Sequence, residues 1–277
     1  MSTCTIRSLR LLSVAACLAG CSSPGSVEKT TSLASKEAYY ERGHQEYLRL
    51  EYDKAEQDLL QAISLDSSYG EPMVDLGALA YDRAKQETDE KSTRRLEQFK
   101  KSRQFYMRGE ASGQRDAAVY DRLCEIANIL DDGPGFLKYA KMSVGRYPFD
   151  RQYYNLGLAY FGVSDWAGVI NSQKEAIEKF RESAYLGGFY RQLGRAYMKV
   201  DRDQTAEKQF SLGVRAVDLR LAALQKRGRT EVAIEVKRLQ EDRIAILLLL
   251  KRLHTIYKEQ EKLQEVERQL RDAGDSR

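Results

Sequence analysis

The chain of 277 residues has only four cysteines, four prolines, two histidines and one tryptophan. The cysteines stand at 4, 17, 21 and 124, so the long remainder of the chain holds one thiol and no disulfide framework. His44 and His254 have no ligand spacing around them, and neither a metal nor any other cofactor is expected. The rarity of proline leaves long stretches free of helix breakers. Charge of one sign is also lacking: 45 Lys and Arg face 41 Asp and Glu. That balance lacks the clustered basic surplus of a nucleic-acid-binding protein. The densest basic stretch, "KSTRRLEQFKKSR" at 91–103, has acids beside it and reads as a solvated helix face. The run "IAILLLL" at 244–250 is far shorter than the roughly 20 residues of a membrane-spanning helix. No G-x-S-x-G elbow and no phosphate-binding glycine loop occurs. Asp131-Asp132-Gly133 lacks the rest of a calcium loop and reads as a turn. No catalytic constellation emerges, and the chain is not expected to be an enzyme.

What is present begins at the N-terminus. Arg7 and Arg10 precede Leu11–Ala19, which is apolar or small except for Ser13. A basic start, a short apolar core and small residues before a cut describe a secretory signal peptide over 1–20. The residues "LAGC" at 18–21 resemble the bacterial lipobox. That resemblance implies lipidation of Cys21 and cleavage before it, and three acyl chains exceed what stable attachment needs. An ordinary signal peptide with an incidental cysteine is the alternative. Ser22 follows the cysteine, which in such lipoproteins implies the outer membrane and its periplasmic face. Residues 21–35 are polar, with Pro24 and Gly25 and little apolar surface to bury, and form a flexible tether.

The rest of the chain repeats. Segments beginning "YYERGHQEYL" at Tyr39, "MVDLGALAYDRA" at Met73, "YYNLGLAYFGV" at Tyr153 and "YRQLGRAYMKV" at Tyr190 each place a glycine four residues on: Gly43, Gly77, Gly157 and Gly194. Gly43 and Gly77 are 34 residues apart, and Cys124 takes the glycine position 33 residues before Gly157. Ala55, Leu59 and Ala62, and again Ala206, Phe210 and Gly213, share a second spacing. These residues resemble the tetratricopeptide repeat (TPR) family, whose unit is a helix-turn-helix hairpin. The resemblance implies an all-α superhelix of about five to six hairpins, each burying its apolar face against its neighbours. Small residues in the first helix are expected to face small residues in the second.

On this reading the TPR array spans 36–218, with an insertion near 83–96 in the second repeat and a breaker-rich turn, "DDGPG", at 131–135. Residues 219–277 form C-terminal helices, a degenerate sixth repeat or a cap, with Tyr257 at the family's first-helix tyrosine and Leu270 at its second-helix aromatic. Val232, Val236, Leu239, Ile246, Leu250, Leu253 and Tyr257 make an apolar stripe there. Two readings of it stay open: a terminal repeat covering the core, or a coiled-coil seam through which a homodimer forms.

In the family, exposed positions of each first helix line a groove for a protein partner. Carried to this sequence these are Tyr40, His44 and Tyr47, then Tyr81, then Asn128, then Arg151, Tyr154 and Phe161, then Arg191, Arg195 and Lys199, flanked by Val74, Asp121, Glu125, Leu158 and Met198. Aromatics and arginines are the residue types that carry binding energy at interfaces. The clamp by which chaperone-binding members hold a C-terminal carboxylate is absent, since Tyr40 and His44 occupy its positions. Anchor, tether and repeats together resemble the pilotin lipoproteins of type IV pili. That implies an assembly factor for a pilus or secretin machine, with a secretin or pilus component as partner. An adaptor recruiting a periplasmic protease or cell-wall hydrolase is the alternative.

Overall fold

A computed structural model describes residues 35–89, 92–225 and 232–275. The signal peptide and the tether before Ser35, with Cys21, lie outside the described residues. Among the described residues there are twelve α-helices and no strand. They run as six consecutive hairpins: α1 (Lys36–Leu48) with α2 (Tyr52–Leu65), α3 (Gly70–Gln86) with α4 (Thr93–Ala111), α5 (Ala117–Ile129) with α6 (Gly133–Arg146), α7 (Asp150–Gly162) with α8 (Trp166–Lys179), α9 (Leu186–Lys199) with α10 (Asp203–Gln225), and α11 (Ala233–Ile256) with α12 (Gln260–Asp275). No helix among the described residues is long and apolar enough to cross a membrane.

Five of the six hairpins use one turn. Leu50, Asp131, Ser164, Asp201 and Lys258 each adopt the left-handed region, with φ between 55° and 63°. In each case the next amide reaches back to the carbonyl five residues earlier, as in Asp132 to Ala127 at 2.8 Å, Arg202 to Tyr197 at 2.9 Å and Glu259 to His254 at 2.9 Å. The left-handed conformation costs a non-glycine residue roughly 1–2 kcal/mol, and these closing bonds help offset it. The stretch at 131–135 becomes regular in this light. Asp132 caps α6 by accepting from the Gly135 amide at 2.9 Å, and Pro134 sits in the first turn, where its missing N–H costs nothing. Among the described residues the second repeat shows no such turn. Its extra residues lengthen α3 and α4, and Ser92 caps α4.

Inside the hairpins the glycines meet large side chains, not small ones. A Cβ on Gly43 would lie 2.9 Å from Cγ of Leu59, and one on Gly77 2.9 Å from Cδ2 of Tyr106. Gly194 lies against the Phe210 ring in the same way. The expectation of small against small is therefore corrected: the missing Cβ lets a leucine or aromatic side chain of the second helix sit on the first-helix backbone. Burying such a side chain stabilises by about 1.5–3 kcal/mol, more than the roughly 1 kcal/mol that glycine costs in a helix.

The C-terminal hairpin follows a register different from the expected one. Tyr160 and Tyr197 stand four residues before their left-handed turn residues, and the matching position before Lys258 is His254. Tyr257 is instead exposed at the end of α11, donating to Asp203 at 2.5 Å. The Gly194–Phe210 pair corresponds here to Lys251 and Glu267, which form an ion pair at 2.8 Å. A contact that is buried elsewhere becomes polar in the last hairpin, and α12 buries Val266. Helix α10 also runs through the boundary expected at 218, because Val217 and Leu224 are buried with Leu239 of α11. The apolar stripe of α11 faces inward: Ile246, Leu250 and Leu253 are buried with Leu193, Tyr197 and Phe210.

Candidate partner-binding face

The first helices α1, α3, α5, α7, α9 and α11 follow one another, and side chains bridge each to the next. At the N-terminal end, Tyr40 packs against His44 and edge-on to Tyr69. Nδ1 of His44 lies 2.6 Å from the Asp75 carboxylate, and the Tyr47 hydroxyl donates to Asp82 at 2.8 Å. Tyr81 is buried and donates to Glu125, while Arg122 lies 4.3 Å over its ring and pairs with Glu125 at 3.0 Å. Burial, then the neighbouring carboxylates, push Tyr40 and Tyr81 each up to about 12, so both hydroxyls stay protonated. Burial also raises Asp75, against the opposing pull of His44.

Farther along, Asp121 accepts from Gln152 at 3.1 Å and lies 3.6 Å from Arg151. Arg191 donates to the Tyr154 hydroxyl at 3.2 Å and pairs with Asp242 of α11 at 3.0 Å. Asp242 is buried; burial raises its carboxyl, opposed by Arg191, Arg238 and the Gly188 amide. Gly187 is required here, since a Cβ on it would meet Cβ of Asp242 at 2.6 Å. A cavity of about 200 Å³ opens among Tyr154, Tyr185, Arg191, Arg238, Glu241 and Asp242.

The last group has no such pairing. Phe161 meets Trp166 edge to face at 4.9 Å, across the α7–α8 turn. The Arg195 guanidinium lies 4.3 Å over Phe161, and the Lys199 ammonium 5.9 Å from the Trp166 centroid. Arg195 and Lys199 are exposed, and among the described residues no carboxylate pairs with either. Desolvation, then Arg191, push the Arg195 guanidinium downward, opposed by Tyr154.

The structure thus brings Phe161, Arg195 and Lys199 together, joins Tyr154 to Arg191, packs Tyr40 against His44 and Tyr69, and engages His44, Tyr47 and Tyr81 with carboxylates of the next repeat. Asn128 is exposed and apart. Sequence reasoning missed Trp166, Arg238 and Asp242. Trp166 had a signal, being the one tryptophan, five residues past Phe161. Asp242 had none, since its partner Arg191 is 51 positions away.

Two other features bear on chemistry. Glu207, His254 and Glu259 offer ligand atoms within 4.8 Å of one another, a grouping the sequence reading did not find around His254. The Lys262 ammonium bonds both carboxylates, at 2.8 and 2.9 Å, and supplies the cation there. Cys124 is buried, and burial pushes its thiol up to about 12, which leaves negligible thiolate at neutral pH.

No protein-family model matches the sequence, and the search of curated proteins finds no match. Solved structures do match. A crystal structure of MamA protein is 15% identical, covering 66% of this chain and 92% of that one, with a TM-score of 0.52. YrrB, described as a TPR protein with an unusual peptide-binding site, is 13% identical, covering 71% of this chain and 93% of that one, at 0.55. PilF of Pseudomonas aeruginosa is 16% identical and covers 86% and 90%, at 0.48, a superposition too loose to carry an argument. At these identities the likeness concerns the fold alone. With six hairpins and one recurring turn geometry, this chain folds as a tetratricopeptide-repeat superhelix.

Proposed function

We propose that this protein is a protein-binding scaffold that takes its partner on the face shared by the first helices. The carrying observation is the cluster of half-buried Phe161 and Trp166 with exposed Arg195 and Lys199, which combines aromatic surface with two cations lacking a carboxylate partner among the described residues. Aromatic and arginine side chains dominate binding energy where proteins meet. The peptide-binding site ascribed to YrrB is in keeping with such a use of this fold. Dimerisation through the α11 stripe is not part of this reading, because that stripe is spent on α9 and α10.

The finer reading adds an address and a machine. Lipid on Cys21 tethers the scaffold to the periplasmic face of the outer membrane, on the strength of "LAGC" and the residues before it. There it serves as an assembly factor for a pilus or secretin machine, on the strength of its architecture of anchor, tether and repeats. Photo-crosslinking in cells tests the site: a probe at exposed Leu158 of α7 traps a partner, and one at exposed Leu212 of α10 does not. A secretin or pilus component at Leu158 supports the assembly reading, whereas a protease or cell-wall hydrolase moves it to the adaptor. Cys21→Ser tests the address, since the anchored protein would leave the membrane fraction.

A further inference from the structure

The partner's chemistry can be read from the charges left over. Along the first helices, His44, Tyr47, Tyr81, Arg151 and Arg191 each face a carboxylate of this chain. Arg195 and Lys199 break that rule. An exposed cation over an aromatic face keeps a cation–π contact worth about 0.5–1 kcal/mol in solution, but its charge stays uncompensated. Arg191 stands one helical turn before Arg195 and adds like charge.

The spacing narrows the choice. Arg195 and Lys199 are four residues apart on α9, a rise of about 6 Å. In an extended peptide, residues two apart point the same way and lie about 6.6–6.8 Å from each other. A strand with acidic residues at alternate positions therefore meets both cations at once. Leu158, exposed one turn before Phe161, and half-buried Met198 offer apolar surface beside them. We propose that this platform binds an extended acidic segment of a partner protein, two of whose side-chain carboxylates, two residues apart, pair with Arg195 and Lys199. The inference rests on the protein-binding reading above and deepens it.

Trp166 is the one tryptophan of the chain and sits in the platform, so its fluorescence reports occupancy. The full-length chain is titrated at low ionic strength with a labelled, amidated peptide alternating Glu and Leu, and with its Gln counterpart. Both Trp166 emission and peptide anisotropy are followed. Saturable binding of the Glu peptide is expected, with binding of the Gln peptide weaker by roughly tenfold or more. R195Q should weaken the Glu peptide by about five- to tenfold, and R195Q/K199Q should abolish binding with no change in the unfolding midpoint. Raising the salt should weaken it too, since exposed charges are screened. No anisotropy change with the Glu peptide overturns the proposal, as does equal affinity for the Gln peptide or an unaffected double variant. Equal binding of a Gln peptide with a free C-terminus also overturns it, in favour of a terminal-carboxylate site. In any of these cases a partner still trapped from Leu158 leaves the scaffold reading standing. Trapping from Leu212 and not from Leu158 removes that reading as well.

Discussion

The two ends of the first-helix row use similar residue types for opposite purposes. At the N-terminal end, histidine and tyrosine meet carboxylates on the next repeat, through His44 and Asp75, Tyr47 and Asp82, and Tyr81 and Glu125. These pairs tie repeats together. At the α7–α9 end, Arg195 and Lys199 lie over aromatic rings and face solvent. The difference lies in the neighbours: α3 and α5 present Asp75, Asp82 and Glu125 to the repeat before them, whereas α11, which follows α9, carries Leu249, Ile256 and Arg252 at the matching positions. A groove position becomes structural when the next repeat supplies an acceptor, and stays available when it does not.

The largest test of this contrast is at the junction beyond the platform. Asp242→Ala leaves the Arg191 guanidinium and the Gly188 amide without their acceptor. We expect a loss of about 3 kcal/mol in denaturant unfolding. Asp242→Asn should cost less, and its comparison with wild type has a pH sign. Because burial raises the folded-state value of Asp242, ionising it opposes folding. The stability of wild type relative to Asp242→Asn should therefore fall as pH rises from the ordinary carboxylate range, near 4, through that higher folded value. A ratio that rises with pH over that window would show the Arg191 pair outweighing burial.

A smaller effect is expected at the paired end. Tyr81→Phe removes the donor to Glu125 and should cost about 1 kcal/mol, while leaving peptide binding at the α7–α9 platform intact. Arg195→Gln should do the reverse, changing stability by no more than about 0.5 kcal/mol and weakening binding. If Tyr81→Phe impairs binding as much as Arg195→Gln does, the division between structural and available positions fails.

The smallest expected signal concerns Cys124, buried in α5 with a thiol pushed up to about 12. Its alkylation at pH 8, followed site by site in a mass spectrometer, should be negligible in the folded chain. Repeats contact only their neighbours, so opening at one end need not reach the other. Asp242→Ala should therefore leave Cys124 labelling at the wild-type rate in low denaturant. Faster labelling in that variant would show that the array opens as one unit.

Much of the architecture was legible because glycine recurs where a leucine or ring of the second helix must sit on a first-helix backbone. Gly43, Gly77 and Gly194 announce three hairpins on those grounds. The last hairpin was legible only in outline. Lys251 and Glu267 replace the glycine and the ring, so the pattern that sets the register is missing, and Tyr257 attracted an alignment that belongs to His254. The candidate site was half legible. First-helix positions placed Phe161, Arg195 and Lys199 on one face, but the same rule also collected Tyr47 and Tyr81, which are engaged with the next repeat.

The amino-acid order settled the hairpins and their succession, because a TPR unit makes its defining contacts within about 34 residues. A close approach inside that span leaves its mark as a glycine or an alanine at a set position. Which charges stay unpaired was decided by the superhelix. Arg191 finds Asp242 across 51 residues, and Arg195, one turn along the same helix, finds no carboxylate among the described residues. The rotation from one repeat to the next sets which side chains meet, and no local spacing encodes it.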